Sequence, residues 1–169
     1  MAVTQQLARI SGRWLDACRT SVDELVLLCS FGMAPAKDHL DLDWAPGPLL
    51  RIGELVCVDP DALAAFRCAL DGDEEVNPAY RDHPQTVWEH PVTALEPAAV
   101  AVVAPLLRRV GAAMMTALAA SDGEILAAVR ELLPDVELPR EYMLRHLTAL
   151  LDFYDGAAER GLAVVLWWD

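Results

Sequence analysis

His39, Asp41, Asp43 and Trp44 fall on alternating and adjacent positions just ahead of a Pro46-Gly47-Pro48 break. In an extended segment, residues two apart project to one side, so both carboxylates would face the same way with the imidazole beside them. Such a trio can take a divalent cation, because carboxylate oxygens suit hard ions. The same acids can equally cap the element that follows. Trp88-Glu89-His90 brings an aromatic ring, an acid and an imidazole together, the ingredients of acid/base work. Consecutive strand residues point to opposite faces, however, so adjacency alone does not make Glu89 and His90 cooperate. The candidate ligand-binding set is therefore Asp41, Asp43, Trp44, Trp88, Glu89 and His90. No residue is assigned a catalytic role, and neither a metal ion nor a cofactor is expected.

Other chemistries leave no local trace. The chain has no GxSxG nucleophile elbow, no GxxxxGK[ST] phosphate loop and no GxGxxG turn. Tyr80-Arg81-Asp82-His83 follows Asn77-Pro78 and reads as a surface turn. Cys18, Cys29, Cys57 and Cys68 form no CxxC pair and sit in mostly apolar surroundings, as free thiols do in a reducing compartment. The formal charge of −13 repels phosphate backbones and anionic lipid surfaces, which argues against nucleic acid and membrane partners. The same charge suits solubility, and it would also steer the chain to a basic protein, as an inhibitor or immunity protein requires.

Positioning any of these residues falls to one domain. A chain of 169 residues can bury roughly 70% of its unfolded surface. The longest apolar segment, Pro97 to Leu107, is shorter than the about 20 residues a bilayer span needs, and Arg108 and Arg109 follow it. The first residues lack a basic region followed by an apolar one, so the expected compartment is the cytoplasm.

Leu144, Leu147, Leu151, Tyr154 and Ala158 recur at three- and four-residue steps and predict an amphipathic helix. Pro139 suits its first turn, Arg160 its last, and Gly161 a left-handed cap. The run from Leu162 to Trp168 is apolar throughout, which predicts a strand covered on both faces with its tryptophans in packing. Ser21 caps a helix over Val22 to Ser30, and Asp59-Pro60 opens one that ends at Leu70. Asp71 to Glu75 reads as a solvated loop in a turn-rich stretch reaching His83, and Val92 to Leu95 as a short strand. Glu96-Pro97 opens a helix that Pro105 should bend or interrupt. Two further short helices are expected over Gly111 to Ala120 and Glu124 to Leu133, joined by Ser121-Asp122-Gly123. Residues 3–10 fit a strand ending at Ser11, and with Trp14, Leu15 and Cys18 they fit a helix as well. The expected class is α+β: a single domain over residues 1–169, with several helices around a small sheet, closing in a long amphipathic helix and a buried strand.

Three segments also resemble a known family. Glu141-Tyr142-Met143-Leu144, Leu150-Leu151-Asp152-Phe153-Tyr154 and Ala157 to Gly161, leading into Ala163-Val164-Val165-Leu166-Trp167, are similar to the closing helix and strand of the YfbM-like family of small bacterial proteins of unknown function. Val92-Thr93-Ala94-Leu95-Glu96-Pro97 resembles that family's strand-to-helix corner, and Leu40 to Asp43 its acidic turn before a Trp-bearing helix. Here Trp44 follows Asp43 directly, with Pro46 and Pro48 beyond, where the family pattern has a Lys after the second acid and a His a turn past the Trp. The resemblance implies a strand at residues 3–10 and an α+β fold, and it implies no activity. The function expected on these grounds is non-enzymatic binding of another protein, with small-ligand or divalent-metal chemistry at turn carboxylates as the alternative.

Overall fold

A computed structural model describes residues 3–86, 90–120 and 123–169. Its centre is a pair of antiparallel strands, β1 (Gln5–Ile10) and β5 (Ala163–Trp168), in register from Gln5 opposite Trp168 to Ile10 opposite Ala163. The ambiguous opening segment is thus a strand, and the helical residues that followed it belong to α1 (Gly12–Thr20), capped by the Ser11 side chain on the Trp14 N–H. β2 (His39–Asp43) extends the sheet beside β1, while β4 (Thr93–Leu95) and β3 (Glu74–Glu75) extend it beside β5, giving the order β2-β1-β5-β4-β3 with every pairing antiparallel. The acidic stretch expected as a loop therefore contributes the edge strand β3, where exposed charge discourages pairing with another chain.

The sheet divides the interior in two. On one face α1 and α2 (Val22–Cys29) pack Leu15, Cys18, Leu25 and Leu28 against Ala8, Ile10, Val165 and Trp167. The other face carries α3 (Pro46–Val56), α4 (Pro60–Asp71), α5 (Pro97–Ala119), α6 (Gly123–Leu132) and α7 (Pro139–Glu159), joined to Leu7, Leu42, Val164 and Leu166. Because β5 feeds both cores, its residues are buried whichever way they point, which is why its sequence lacks polar alternation.

Three helices depart from expectation. Pro46-Gly47-Pro48 starts α3 instead of breaking the chain, since proline is tolerated in a first turn whose N–H groups have no intrahelical partner. Pro105 does not divide α5, which runs unbroken for 23 residues and absorbs the separate helix expected over Gly111 to Ala120. Pro105 lies on the exposed side, and packing on α3, α4 and α7 outweighs the one backbone bond it forfeits. By length and hydropathy alone α5 would reach across a membrane, yet it is the central helix of the larger core and carries Arg108 and Arg109 midway. In α7 the buried stripe is rotated from the predicted one: Met143, Leu147, Leu150, Tyr154 and Ala157 lie inward, while Leu144, Leu151 and Ala158 flank them. Gly161 takes the expected left-handed cap, with φ of 62°.

Replacing Pro105 by Ala should raise the free energy of unfolding by about 1 kcal/mol or more, because it restores a helical bond on an exposed face. A chemical-denaturation midpoint that falls instead would show that α5 needs the proline.

Candidate functional site

Two polar centres occupy opposite ends of the central strands. The first lies where β2 leaves the sheet. Gln5 and Gln6 of β1 face Asp43 and Asp41, so Leu42 is an extra residue on β2 and the strand bulges there. Leu42 drops into the larger core, and Asp43 takes a positive φ of 53°. This conformation is uncommon for any residue but glycine, though it is more accessible to Asp than to most. Asp41 supports it, its Oδ1 accepting the Asp43 N–H at 2.7 Å.

The bulge takes Asp43 out of the expected alignment, whereas His39 and Asp41, in regular register opposite Ala8 and Gln6, stay on one face of β2. The His39 ring packs against Phe31 and Trp167 and bonds the Ala34 carbonyl, so it belongs to the smaller core. Asp41 is exposed, and Asp43 turns to α7. There the Tyr142 hydroxyl donates to Asp43 Oδ2 at 3.2 Å and accepts the Trp44 N–H at 3.2 Å, clamping the turn through a residue about a hundred positions away. Among the described residues, no three His, Cys, Asp or Glu side chains converge as metal ligands would.

Tyr142, Arg145 and His146 share one face of α7 by their three- and four-residue spacing, a signal present in the sequence and unused in the reading above. The Tyr142 and His146 rings lie 4.4 Å apart, and the Arg145 guanidinium sits 5.5 Å from the Tyr142 ring centroid. Arg145 Nη2 is 3.1 Å from His146 Nε2. A guanidinium can only donate, so Nε2 must carry a lone pair and the neutral ring holds its proton on Nδ1. Burial, with Arg145 beside it, lowers the His146 pKa despite Asp43 and Asp41, and burial with Asp43 pushes the Tyr142 phenol up to about 12. Both groups are therefore neutral at physiological pH, and the phenol acts as a fixed hydrogen-bond donor. The consequence is a rigid turn that presents Trp44, 54% exposed, next to an exposed carboxylate.

The rest of the expected set is dispersed. Trp88 and Glu89 lie outside the described residues. His90 contacts the Trp168 ring at 5.4 Å, so of the two C-terminal tryptophans Trp167 is core and Trp168 is half-buried under an imidazole. Tyr80 and Arg81 are structural, the first bonded to the Cys18 carbonyl and the second paired with Glu75. All four cysteines are free; Cys18 and Cys29 are buried, whereas Cys57 and Cys68 are only partly so.

The second centre has no motif to announce it. Asp38, 3% exposed, lies between Arg9 and Arg160: Arg9 Nε donates to Oδ1 at 2.7 Å, and the two terminal nitrogens of Arg160 engage both carboxylate oxygens. Arg9 also donates to the Lys37 and Phe153 carbonyls and stacks on the Phe153 ring. A Cβ on Gly156 would come within 2.5 Å of Arg9 Nη1. Glycine inside α7 costs about 1 kcal/mol against alanine, and it is what leaves room for the guanidinium.

With this geometry in view, one solved structure is informative. No family model matches the chain, and no curated protein matches it. A protein of unknown function, YfbM from Escherichia coli, superposes over 96% of this chain and 98% of its own with a TM-score of 0.55, at 14% sequence identity. The chain has a YfbM-like fold. At that identity the likeness concerns the path of the backbone, and the YfbM-like frame brings no reaction with it.

Two outcomes test the centres. Tyr142→Phe removes the hydroxyl that bridges Asp43 and Trp44 and should cost about 1–2 kcal/mol in denaturant titration; an unchanged midpoint would show that the turn holds itself. The two arginines hold the Asp38 carboxyl down, Arg160 foremost, to about 2 from an ordinary 3.8. A depressed carboxyl stabilises the folded state above its unfolded pKa, and that increment disappears as pH falls through the folded value. The stability difference between wild type and Asp38→Asn should therefore be full above pH 4 and shrink towards pH 2. A difference independent of pH over that window would contradict the assignment.

Proposed function

We propose that this is a non-enzymatic cytoplasmic protein that works by binding a basic protein through the turn at Asp41, Asp43 and Trp44. The observation carrying this reading is the exposure of Trp44 on a backbone fixed by the bulge and by Tyr142. An indole held in water on a rigid support loses little freedom on docking, and Trp, Tyr and Arg are the residues that most often dominate interface energies. Exposed Leu138, the residue whose carbonyl accepts the Tyr142 N–H, adds apolar surface at the start of the same helix. The net charge of −13 supplies long-range attraction to a positively charged partner and suppresses acidic competitors. An inhibitor or immunity role is one specific form of this activity.

The metal alternative has less support from the geometry, because Asp41 is spent on the Asp43 N–H while Asp43 faces the Tyr142 hydroxyl.

Immobilised wild type and Trp44→Ala, compared in native extract at low and moderate salt, should differ by a basic protein retained by wild type and released as salt rises. Rebinding of that protein in purified form should weaken by about 30-fold or more with Trp44→Ala, as for a hot-spot residue. Equal retention by the variant, or no saturable partner at either salt, would contradict the reading.

A further inference from the structure

We propose that the groove beside the Arg9–Asp38–Arg160 centre binds a small anion with a flat aromatic body, an aryl phosphate or carboxylate, whose charge meets Lys37 and Arg160 and whose ring meets Trp14. The groove has a volume of about 400 Å³ and is lined by Arg9, Ser11, Trp14, Lys37, Asp38 and Arg160, among others. That size is within the range of small-molecule sites. It lies at the far end of β1 and β2 from the Trp44 turn, so it stands independently of the docking surface.

Charge argues for an anion. In a chain that is acidic overall, three cationic residues and one carboxylate line this groove. Asp38 is consumed by both arginines, and Arg9 is occupied by it and by two carbonyls. Arg160 commits one N–H on each of two nitrogens to Asp38, and its side chain stays 45% exposed, leaving donors for a second anion. Lys37 is exposed, and among the described residues its ammonium has no hydrogen-bond or ion-pair partner. The groove is also a built feature: Gly156 is a cavity in α7 for Arg9, which sets Asp38 and through it the fork of Arg160.

Shape argues for the ring. Trp14 stands in the first turn of α1 with 44% of its surface open, on the groove wall and beside Ser11, whose hydroxyl caps that helix. The first-turn N–H groups of α1 add to the positive potential at this end. An indole beside cations accommodates a ligand that is charged at one end and planar at the other.

Phenyl phosphate, inorganic phosphate and benzylamine, each titrated into the intact protein and read by tryptophan fluorescence and indole NMR shifts, form the test. Phenyl phosphate should saturate with a Kd below about 1 mM and lose at least about tenfold in affinity with Lys37→Gln and with Trp14→Ala. Both substitutions are at exposed positions, and circular dichroism would check that the variants fold. No saturation by phenyl phosphate, wild-type affinity in either variant, or comparable binding of benzylamine would overturn the proposal. Inorganic phosphate binding as tightly as phenyl phosphate would overturn the part given to Trp14.

Discussion

The antiparallel pairing of β1 with β5 is the constraint on which the other elements depend. Each strand sends alternate residues into two separate cores, so one ladder of hydrogen bonds fixes the positions of Leu7 and Leu166 under the large helical layer and of Ile10 and Trp167 under the small one. Fully burying one such side chain contributes on the order of 1.5–3 kcal/mol, and a one-residue slip would exchange the faces of the strand that moved. Such a register has no cheap alternative. Trp167 shows how strongly packing dominates here. Its ring is buried against His39 and Phe31 although its indole N–H has no acceptor among the described residues.

The polar centres use the two ends of that ladder differently. At the end where β1 begins, the bulge in β2 turns a carboxylate to α7 and sends the chain outward with Trp44 leading. At the other end, Arg9 leaves β1 beneath α7 and gathers Asp38 and Arg160, tying the entry of β2 to the close of the last helix. A buried carboxylate with two cationic partners replaces its lost hydration with several charge-assisted bonds, and only the loss of both partners would strand it. Both ends therefore depend on where α7 lies, and α7 depends on α5 and the sheet beneath it.

Much of the fold was legible because its signals are local. Ser21, Asp59 and Gly161 act where the sequence places them, and an unbroken apolar run could only be a strand covered on both faces. What misled was also local. Pro105 carries a breaking signal that exposed placement and tertiary packing override, and Glu74-Glu75 has a solvated composition that an edge strand tolerates. The site was legible only in part. Asp41, Asp43 and Trp44 do form one turn, but alternation predicted one face for the two acids, and a single inserted residue placed them apart. Tyr142, Arg9 and Arg160 could not be assigned to these centres from spacing, because the contacts that define them join residues 29 to 122 positions apart. For the centre at Asp38 the glycine inside α7 was the available hint, and its meaning depends on which side chain fills the space.

The claim that function resides at the Trp44 turn is tested most directly by placing a photocrosslinking amino acid at position 44 and, separately, at exposed position 102 on α5, then irradiating each protein in native extract. The account predicts an adduct with one basic polypeptide from position 44 that is absent from position 102. No adduct at position 44, or the same adducts from both positions, would contradict it.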